Sequence, residues 1–162
     1  MKVFLDANVL FSAAKAGTAL AGSVELLAVN GFAVTSALAV LEARRNLTGK
    51  RPGWVAEFDR MLVRVKLVPE ATVSVKVERV AKDRPILKVA VHARCSRLVT
   101  SDRRRFGLLC GRVVEGLKAV SLVGLAEDLV RSGKLEEEKP LRGLRLGATT
   151  PVPALPRSGR RG

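Results

Sequence analysis

Residues 82–107, KDRPILKVAVHARCSRLVTSDRRRFG, combine a predicted helix, a predicted strand and two acids in one short stretch. Asp83 followed closely by Pro85 is typical of a helix start, because a carboxylate caps the first turn and proline fits that turn. An apolar strand is predicted at Leu98–Thr100, and Asp102 comes just after it. A helix that leads into a strand is the repeating element of α/β folds. The apolar face of the helix is formed by Ile86, Leu87 and Ala90.

The same alternation extends over most of the chain. Alternating strands and helices are typical of a parallel sheet covered on both faces, and they exclude a β-sandwich or a simple helix bundle. Ser36 and Pro52 fit further helix starts. The predicted strands are Lys2–Leu5, Phe32–Thr35, Val65–Val68, Leu98–Thr100 and Ala119–Leu122. Helical spacing joins Leu20, Val24 and Leu27; Leu38 and Leu41; Val55, Phe58 and Leu62; and Leu122, Leu125, Ala126 and Leu129.

The chain is strongly basic. Its 162 residues include 29 Lys and Arg against 15 Asp and Glu, a net charge of +14, and 48% are apolar, enough for one core. The charge favours a polyanionic partner, which could be nucleic acid, an acidic protein or an anionic membrane. One His and two Cys exclude a structural zinc site of four ligands. Five Phe, one Trp and no Tyr are too few for a platform that stacks successive bases.

The chain divides into a domain at residues 1–138 and a basic, proline-containing tail at residues 139–162, which we expect to be mobile. No uninterrupted apolar run approaches the roughly 18 residues of a membrane span, so we expect no membrane contact. Two cysteines do not suggest a disulfide scaffold, and the expected location is the cytoplasm. The tail carries no acid and contains Lys139, Arg142, Arg145, Arg157, Arg160 and Arg161.

Most acids of the chain lie on the polar faces of predicted helices, but four do not. Asp6 and Asp102 each follow a predicted strand, Asp83 opens the helix before the fourth strand, and Glu42 follows the second strand. Parallel strands end at one edge of the sheet, so Asp6 and Asp102 can converge there if strands one and four are neighbours. Converging carboxylates repel one another unless a divalent cation neutralises them, and hard oxygen ligands favour Mg²⁺ or Mn²⁺. In a basic protein, such a site predicts phosphodiester hydrolysis.

Each candidate also has a simpler interpretation. Asp6, Asp83 and Asp102 could each cap a helix or a turn, which is the commonest role of Asp after a strand. Glu42 could pair with Arg45. His92 falls on the polar stripe of its helix, so we expect a surface side chain rather than a catalytic base.

Three segments resemble the motif regions of PIN-domain ribonucleases, a family that includes toxins of toxin–antitoxin pairs. They are VFLDANVLFSA at 3–13, SALAVLEARRNL at 36–47, and residues 82–107. The resemblance implies a three-layer α/β/α sandwich around a five-stranded parallel sheet of order 3-2-1-4-5. It further implies cleavage of single-stranded RNA, with an acidic antitoxin and a second copy of the chain as protein partners.

Carried over to this chain, the family's acidic cluster falls on Asp6, Glu42, Asp83 and Asp102, with Mg²⁺ or Mn²⁺ as the bound metal. The resemblance assigns polar pocket positions to Asn8 and to Thr100 or Ser101. Residues 94–97 and Ser101 depart from the usual pattern without removing a ligand. The run Arg103, Arg104 and Arg105 follows the last acid, and we expect it either to contact RNA phosphates or to form a solvated turn.

Two other functions compete with the ribonuclease. Asp6 could be the covalent nucleophile of a phosphatase similar to the haloacid dehalogenases, but those enzymes need a second Asp where this chain has Asn8. The chain could also be a non-catalytic nucleic-acid-binding module, although such a module has no reason to keep four converging acids.

Overall fold

A computed structural model describes residues 1–70, 84–101, 112–131 and 133. Its strands are β1 (Val3–Leu5), β2 (Ala33–Ser36), β3 (Lys66–Val68), β4 (Arg97–Val99), β5 (Val113–Val114) and β6 (Leu117–Val120). Its helices are α1 (Ala7–Ala13), α2 (Ala19–Val29), α3 (Ala37–Lys50), α4 (Val55–Leu62), α5 (Arg84–His92) and α6 (Leu122–Arg131), with a 3₁₀ turn at Pro52–Trp54. The predicted tail at 139–162 lies outside the described residues.

The strands form one sheet in the order β3-β2-β1-β4-β6-β5. The first five strands of this order are parallel, and β1 pairs with β4 in a register that places Leu5 opposite Val99. The α/β class, the parallel order 3-2-1-4 and the neighbouring positions of strands one and four are therefore confirmed.

The prediction of five strands is wrong by one. An additional strand, β5, pairs antiparallel with β6 at the sheet edge. The two are joined by Glu115 and Gly116, whose φ values of 50° and 82° are both positive. Two consecutive residues of positive φ match the right-handed twist of a tight hairpin, and glycine adopts that conformation without steric cost. The strand predicted at Ala119–Leu122 starts two residues earlier, at Leu117, and ends at Val120, while Leu122 begins α6.

The sheet separates two apolar layers. Val3 and Leu5 of β1 face a cluster built by α1, α2, α3, α4 and α6, whereas Phe4 faces a cluster that includes the buried residues of α5. Opposite faces for successive residues are the period of a strand, and burial on both faces is typical of a parallel sheet. The three-layer arrangement predicted from the sequence is confirmed.

Helix α3 turns a different face to the core than its leucine spacing suggests. Leu38 and Leu41 are 45% and 64% exposed, while Ala39, Ala43 and Leu47 are completely buried. Alanine carries little apolar area, so the leucines dominate the sequence pattern. In the structure, α3 packs against α1. The prediction of a helix is confirmed, and the implied inward face is wrong.

A charge cluster fixes α6 against the sheet. Asp128 on α6 accepts a hydrogen bond from Arg97 Nε on β4 at 2.7 Å, and Lys118 and Arg131 lie at 3.7 and 3.6 Å. The hydrogen bond from Arg97 and the surrounding positive charges lower the pKa of Asp128 below its ordinary value of 3.8.

Asp128→Ala should therefore destabilise the fold by about 1.5–3 kcal/mol at pH 7, the usual worth of a hydrogen bond to a charged group. A carboxyl with a lowered folded pKa stabilises above its unfolded pKa and loses that contribution as the pH falls through the folded value. The difference between parent and variant should thus shrink below about pH 4 in urea unfolding experiments. The exposed neighbour Glu127→Ala is the control, and a difference that does not change with pH would contradict this account.

Candidate active site

Four buried polar residues lie at the carboxyl edge of the sheet, and no other polar residue in the described part of the chain is buried. They are Asp6, Thr35, Ser36 and Thr100, each at most 5% exposed. Asp6 and Thr100 directly follow β1 and β4, while Thr35 and Ser36 end β2. Burying polar groups costs free energy unless they are hydrogen-bonded, so their concentration at one edge needs a cause.

Asp6 lies at the centre of this group. Its Oδ1 accepts a hydrogen bond from the backbone N–H of Ala7 at 2.8 Å, and its Oδ2 accepts one from the Thr100 hydroxyl at 3.2 Å. The register of β1 with β4 makes this contact possible, because the backbone N–H of Asp6 also donates to Val99 O at 3.3 Å. Asp6 therefore caps α1, as its simpler interpretation predicts, but a cap requires only one oxygen acceptor and no charge.

Thr35 and Ser36 organise the neighbouring strand end. The Thr35 hydroxyl donates to the carbonyl of Leu5 at 2.9 Å, tying the ends of β1 and β2 together. Ser36 Oγ accepts from the N–H of Ala39 at 3.2 Å and caps α3, which confirms its predicted role. Both hydroxyls bond to backbone groups and are thus structural: they hold together the ends of β1 and β2 and the start of α3.

Asn8 and Glu42 lie on the two helices that start at this edge. Asn8 is half-buried in the first turn of α1, and Glu42 is half-buried on α3, which packs against α1. Among the described residues Glu42 forms no ion pair, so the alternative pairing with Arg45 is not observed. Of the two pocket positions considered after β4, Thr100 contacts Asp6 and Ser101 is exposed.

No family model and no curated protein matches this sequence. The chain superposes on PAE2754 from Pyrobaculum aerophilum with a TM-score of 0.56 and 19% identity, covering 81% of this chain and 96% of that one. It superposes on VapBC2 from Rickettsia felis, solved bound to a DNA fragment from their promoter, with a TM-score of 0.54 and 16% identity. That match covers 75% of this chain and 98% of the other. The chain has a PIN-like fold. The fold implied by the three motifs is thereby confirmed.

Part of the acidic cluster expected for a PIN-like fold lies outside the described residues. Asp83, Asp102 and the run Arg103, Arg104 and Arg105 all fall there. The described residues contain no group of three or more His, Cys, Asp and Glu side chains that could hold a metal ion. The ligand set of four acids therefore stays a prediction, with Asp6 and Glu42 as its described members.

Glu70 is an acid at the same edge that the sequence interpretation missed. It follows β3, and its Oε1 accepts a hydrogen bond from the N–H of Leu38 at 3.2 Å, in the first turn of α3. The rule that selected Asp6, an acid just after a predicted strand, could also have selected Glu70. This hydrogen bond caps the start of α3, so we assign Glu70 a structural role in the PIN-like fold.

The other potential catalytic side chains behave as the sequence suggests. His92 is exposed on α5. Cys95 is buried, and burial raises the pKa of its thiol to about 11, which leaves it an unreactive thiol that packs in the core. None of the helices in the described part of the PIN-like fold has the length and apolar character that crossing a bilayer requires.

Proposed function

We propose that the chain is a metal-dependent endoribonuclease that hydrolyses phosphodiester bonds in single-stranded RNA. The observation that carries the proposal is the buried Asp6 carboxylate, held at the carboxyl end of the central strand by Thr100 from the neighbouring strand. Ligand sites of open α/β sheets lie at this edge, where the strand order reverses. The order β2-β1-β4 is such a reversal, since the chain runs outward from β1 to β2 and β3 and then crosses back to place β4 on the other side of β1.

The donor set at this edge suits a hard divalent cation. Asp6 offers carboxylate oxygens and Thr100 a neutral oxygen, and neither His92 nor Cys95 is on this edge. Asn8 on α1 and Glu42 on α3, the helices that start there, would add one amide and one carboxylate. Mg²⁺ and Mn²⁺ prefer such oxygen ligands. When bound, the cation would lower the pKa of a water molecule and stabilise charge on the phosphate.

Residues of the chain itself would bind the cation, accept a proton and bind the RNA phosphates. Asp6, Asp83 and Asp102 would hold the cation, and Glu42 would either join them or accept a proton from the attacking water. Thr100 would keep Asp6 Oδ2 in one orientation through its hydroxyl hydrogen bond. Arg103, Arg104 and Arg105, next in sequence to Asp102, would bind the phosphates of the strand.

The fold also supports a protein partner. VapBC2 is a paired assembly solved on promoter DNA, and its structure covers most of this chain. We extend the proposal to an acidic antitoxin protein that binds this chain and inhibits cleavage, and its gene is expected beside this one. A chain that acts in housekeeping RNA processing would have no such neighbour.

Internal cleavage of an end-labelled single-stranded RNA by purified protein with Mn²⁺ tests the proposal. We expect fragments of defined length from the single strand, little product from the same sequence as a duplex, and no hydrolysis of p-nitrophenyl phosphate. Phosphate release from p-nitrophenyl phosphate, without RNA cleavage, would instead support the Asp-nucleophile phosphatase. RNA binding without cleavage would support the non-catalytic module.

Thr100→Val should lower the cleavage rate by about 10- to 100-fold, the usual effect of removing a partner that orients a metal ligand. Valine keeps the shape but removes the hydroxyl that donates to Asp6. The matched control is Thr35→Val, because Thr35 is equally buried at the next strand end but donates to a backbone carbonyl.

Both threonine variants should lose about 1–3 kcal/mol of stability, since each removes one buried hydrogen bond. Only Thr100→Val should reduce cleavage per folded molecule. Equal rates in the two variants, measured at saturating Mn²⁺, would contradict the role assigned to Thr100.

A further inference from the structure

An open groove of about 660 Å³ lies between α1, the end of α3 and the 3₁₀ turn that follows it. The groove does not include the sheet edge that carries Asp6. Helices α1 and α3 both start at that edge, and the groove is lined by residues near their opposite ends, Phe11 and Ser12 on α1 and Lys50 on α3. No acid is among the residues that line it. They are Phe11, Ser12, Lys15, Lys50, Arg51 and Trp54.

The three cations of this groove have no acidic partner among the described residues. Lys15, Lys50 and Arg51 are exposed, and none forms an ion pair with a described residue. The Lys15 ammonium lies 6.0 Å from the centre of the Trp54 ring, and the Arg51 guanidinium lies 5.5 Å from it. An indole attracts cations through its π-system but is neutral, so it positions them without cancelling their charge.

Three other arginines of this helical layer are paired with acids, whereas Arg45 on α3 forms no ion pair with a described residue. Arg44, Arg60 and Arg64 are paired with Asp59, Glu57 and Glu25 respectively. The groove therefore differs from most of the surrounding surface. Its three cations lie together and form no ion pair with a described residue, whereas most arginines of the neighbouring helices do.

Trp54 gives the groove an aromatic wall. It is half-buried, and its ring packs against Phe11 at 6.1 Å between centroids and an interplanar angle of 50°. A ligand that matches this wall and the cations must offer both a flat ring and negative charge. Nucleotides of a single strand offer both, since bases stack on aromatic rings and phosphates bind Lys and Arg. An acidic peptide of Asp and Glu offers only the charge.

We propose that this groove is a second binding site for single-stranded RNA, in which Lys15, Lys50 and Arg51 bind phosphates and Trp54 contacts a base. The site rests on the proposed ribonuclease function, because it would hold the strand beyond the cleavage position. Phe11 follows Asp6 by five residues, about 7.5 Å along α1 at 1.5 Å per residue. A strand that leaves the sheet edge along α1 therefore reaches the groove within a short distance.

The fluorescence of Trp54 tests this site directly, because it is the only tryptophan of the chain. An eight-nucleotide uridine RNA is titrated into catalytically inactive Asp6→Asn protein while tryptophan emission and the anisotropy of a label on the RNA are recorded. We expect saturable quenching at the same RNA concentrations that raise the anisotropy. Binding seen by anisotropy without any change in Trp54 emission would overturn the proposal.

A matched pair of double variants separates the groove from general charge. Lys15→Gln with Arg51→Gln should weaken RNA binding severalfold and reduce its logarithmic salt dependence by up to about 1.4, from about 0.7 per lost phosphate contact. Lys66→Gln with Lys88→Gln removes the same charge from β3 and α5, and should change both quantities less. Equal effects in the two double variants would contradict a dedicated site.

Three further outcomes distinguish a failure of the proposed groove from a failure of the proposed ribonuclease function. Quenching by a hexaglutamate peptide but not by RNA would show that the groove takes an acidic peptide, and would overturn the RNA site. If parent protein cleaves RNA while Trp54 emission never responds, the second site is wrong and the ribonuclease stands. If Trp54 responds but parent protein never cleaves, the ribonuclease function is wrong and the groove is an RNA-binding site.

Discussion

Asp6→Asn is expected to lower RNA cleavage by on the order of 10²–10³-fold, the range found when one charge-stabilising group is removed from a catalytic centre. The variant should melt at or above the temperature of the parent protein. Asparagine keeps an oxygen that accepts from the N–H of Ala7, so the cap of α1 survives, while the cost of burying a carboxylate in the metal-free protein disappears.

The control for this variant is Asp59→Asn. Asp59 is an exposed carboxylate on α4 whose ion pair with Arg44 lies on the surface, so its loss should change stability by less than about 1 kcal/mol and leave cleavage unchanged. Thermal melting and single-turnover cleavage are measured on the same preparations. An Asp6→Asn protein that unfolds easily but keeps its activity per folded molecule would mean that Asp6 is only a helix cap.

Leu47→Ala is expected to destabilise the protein by about 2–5 kcal/mol, because it opens a cavity in a packed core. Leu47 is completely buried on α3. Leu41→Ala, the same substitution on the same helix at a side chain that is 64% exposed, should cost no more than about 0.5 kcal/mol. Urea unfolding of both variants measures the two costs.

This pair tests which face of α3 meets the core. The leucine spacing of the sequence assigns Leu41 to the apolar face, whereas the structure assigns that face to Leu47 and two alanines. A larger loss for Leu41→Ala than for Leu47→Ala would reverse the orientation of the helix that carries Glu42.

The sequence predicts most strands of the sheet because strands that are buried on both faces appear as continuous apolar runs. Runs such as residues 2–5 and 32–35 consist almost entirely of apolar residues, and they locate β1 and β2 to within one residue. Strand β5 is only two residues long, too short for any periodicity, and it depends on the turn at Glu115 and Gly116. Helix α1 spans seven residues and is apolar on several sides, so no amphipathic pattern marks it.

The candidate site was partly predictable for a similar reason. Asp6 is a polar residue at the end of an apolar run, and the sheet order brings the end of β4 beside it. The contact with the Thr100 hydroxyl depends on the register of two strands that are 94 positions apart in the chain, which no local pattern reveals. The groove at Trp54 was missed because its cations come from the loop after α1 and from the end of α3, segments that are distant in sequence.

The dependence of RNA cleavage on a divalent cation tests the central claim most directly. Purified parent protein is stripped with a chelator, and cleavage of labelled single-stranded RNA is followed as Mn²⁺ or Mg²⁺ is added back, with Asp6→Asn protein in parallel. We expect no cleavage in excess chelator, saturable recovery with the cation in the parent protein, and a recovered rate in Asp6→Asn that is lower by on the order of 10²–10³-fold at the same concentrations. Undiminished cleavage by the parent protein in excess chelator would contradict the metal-dependent site at Asp6.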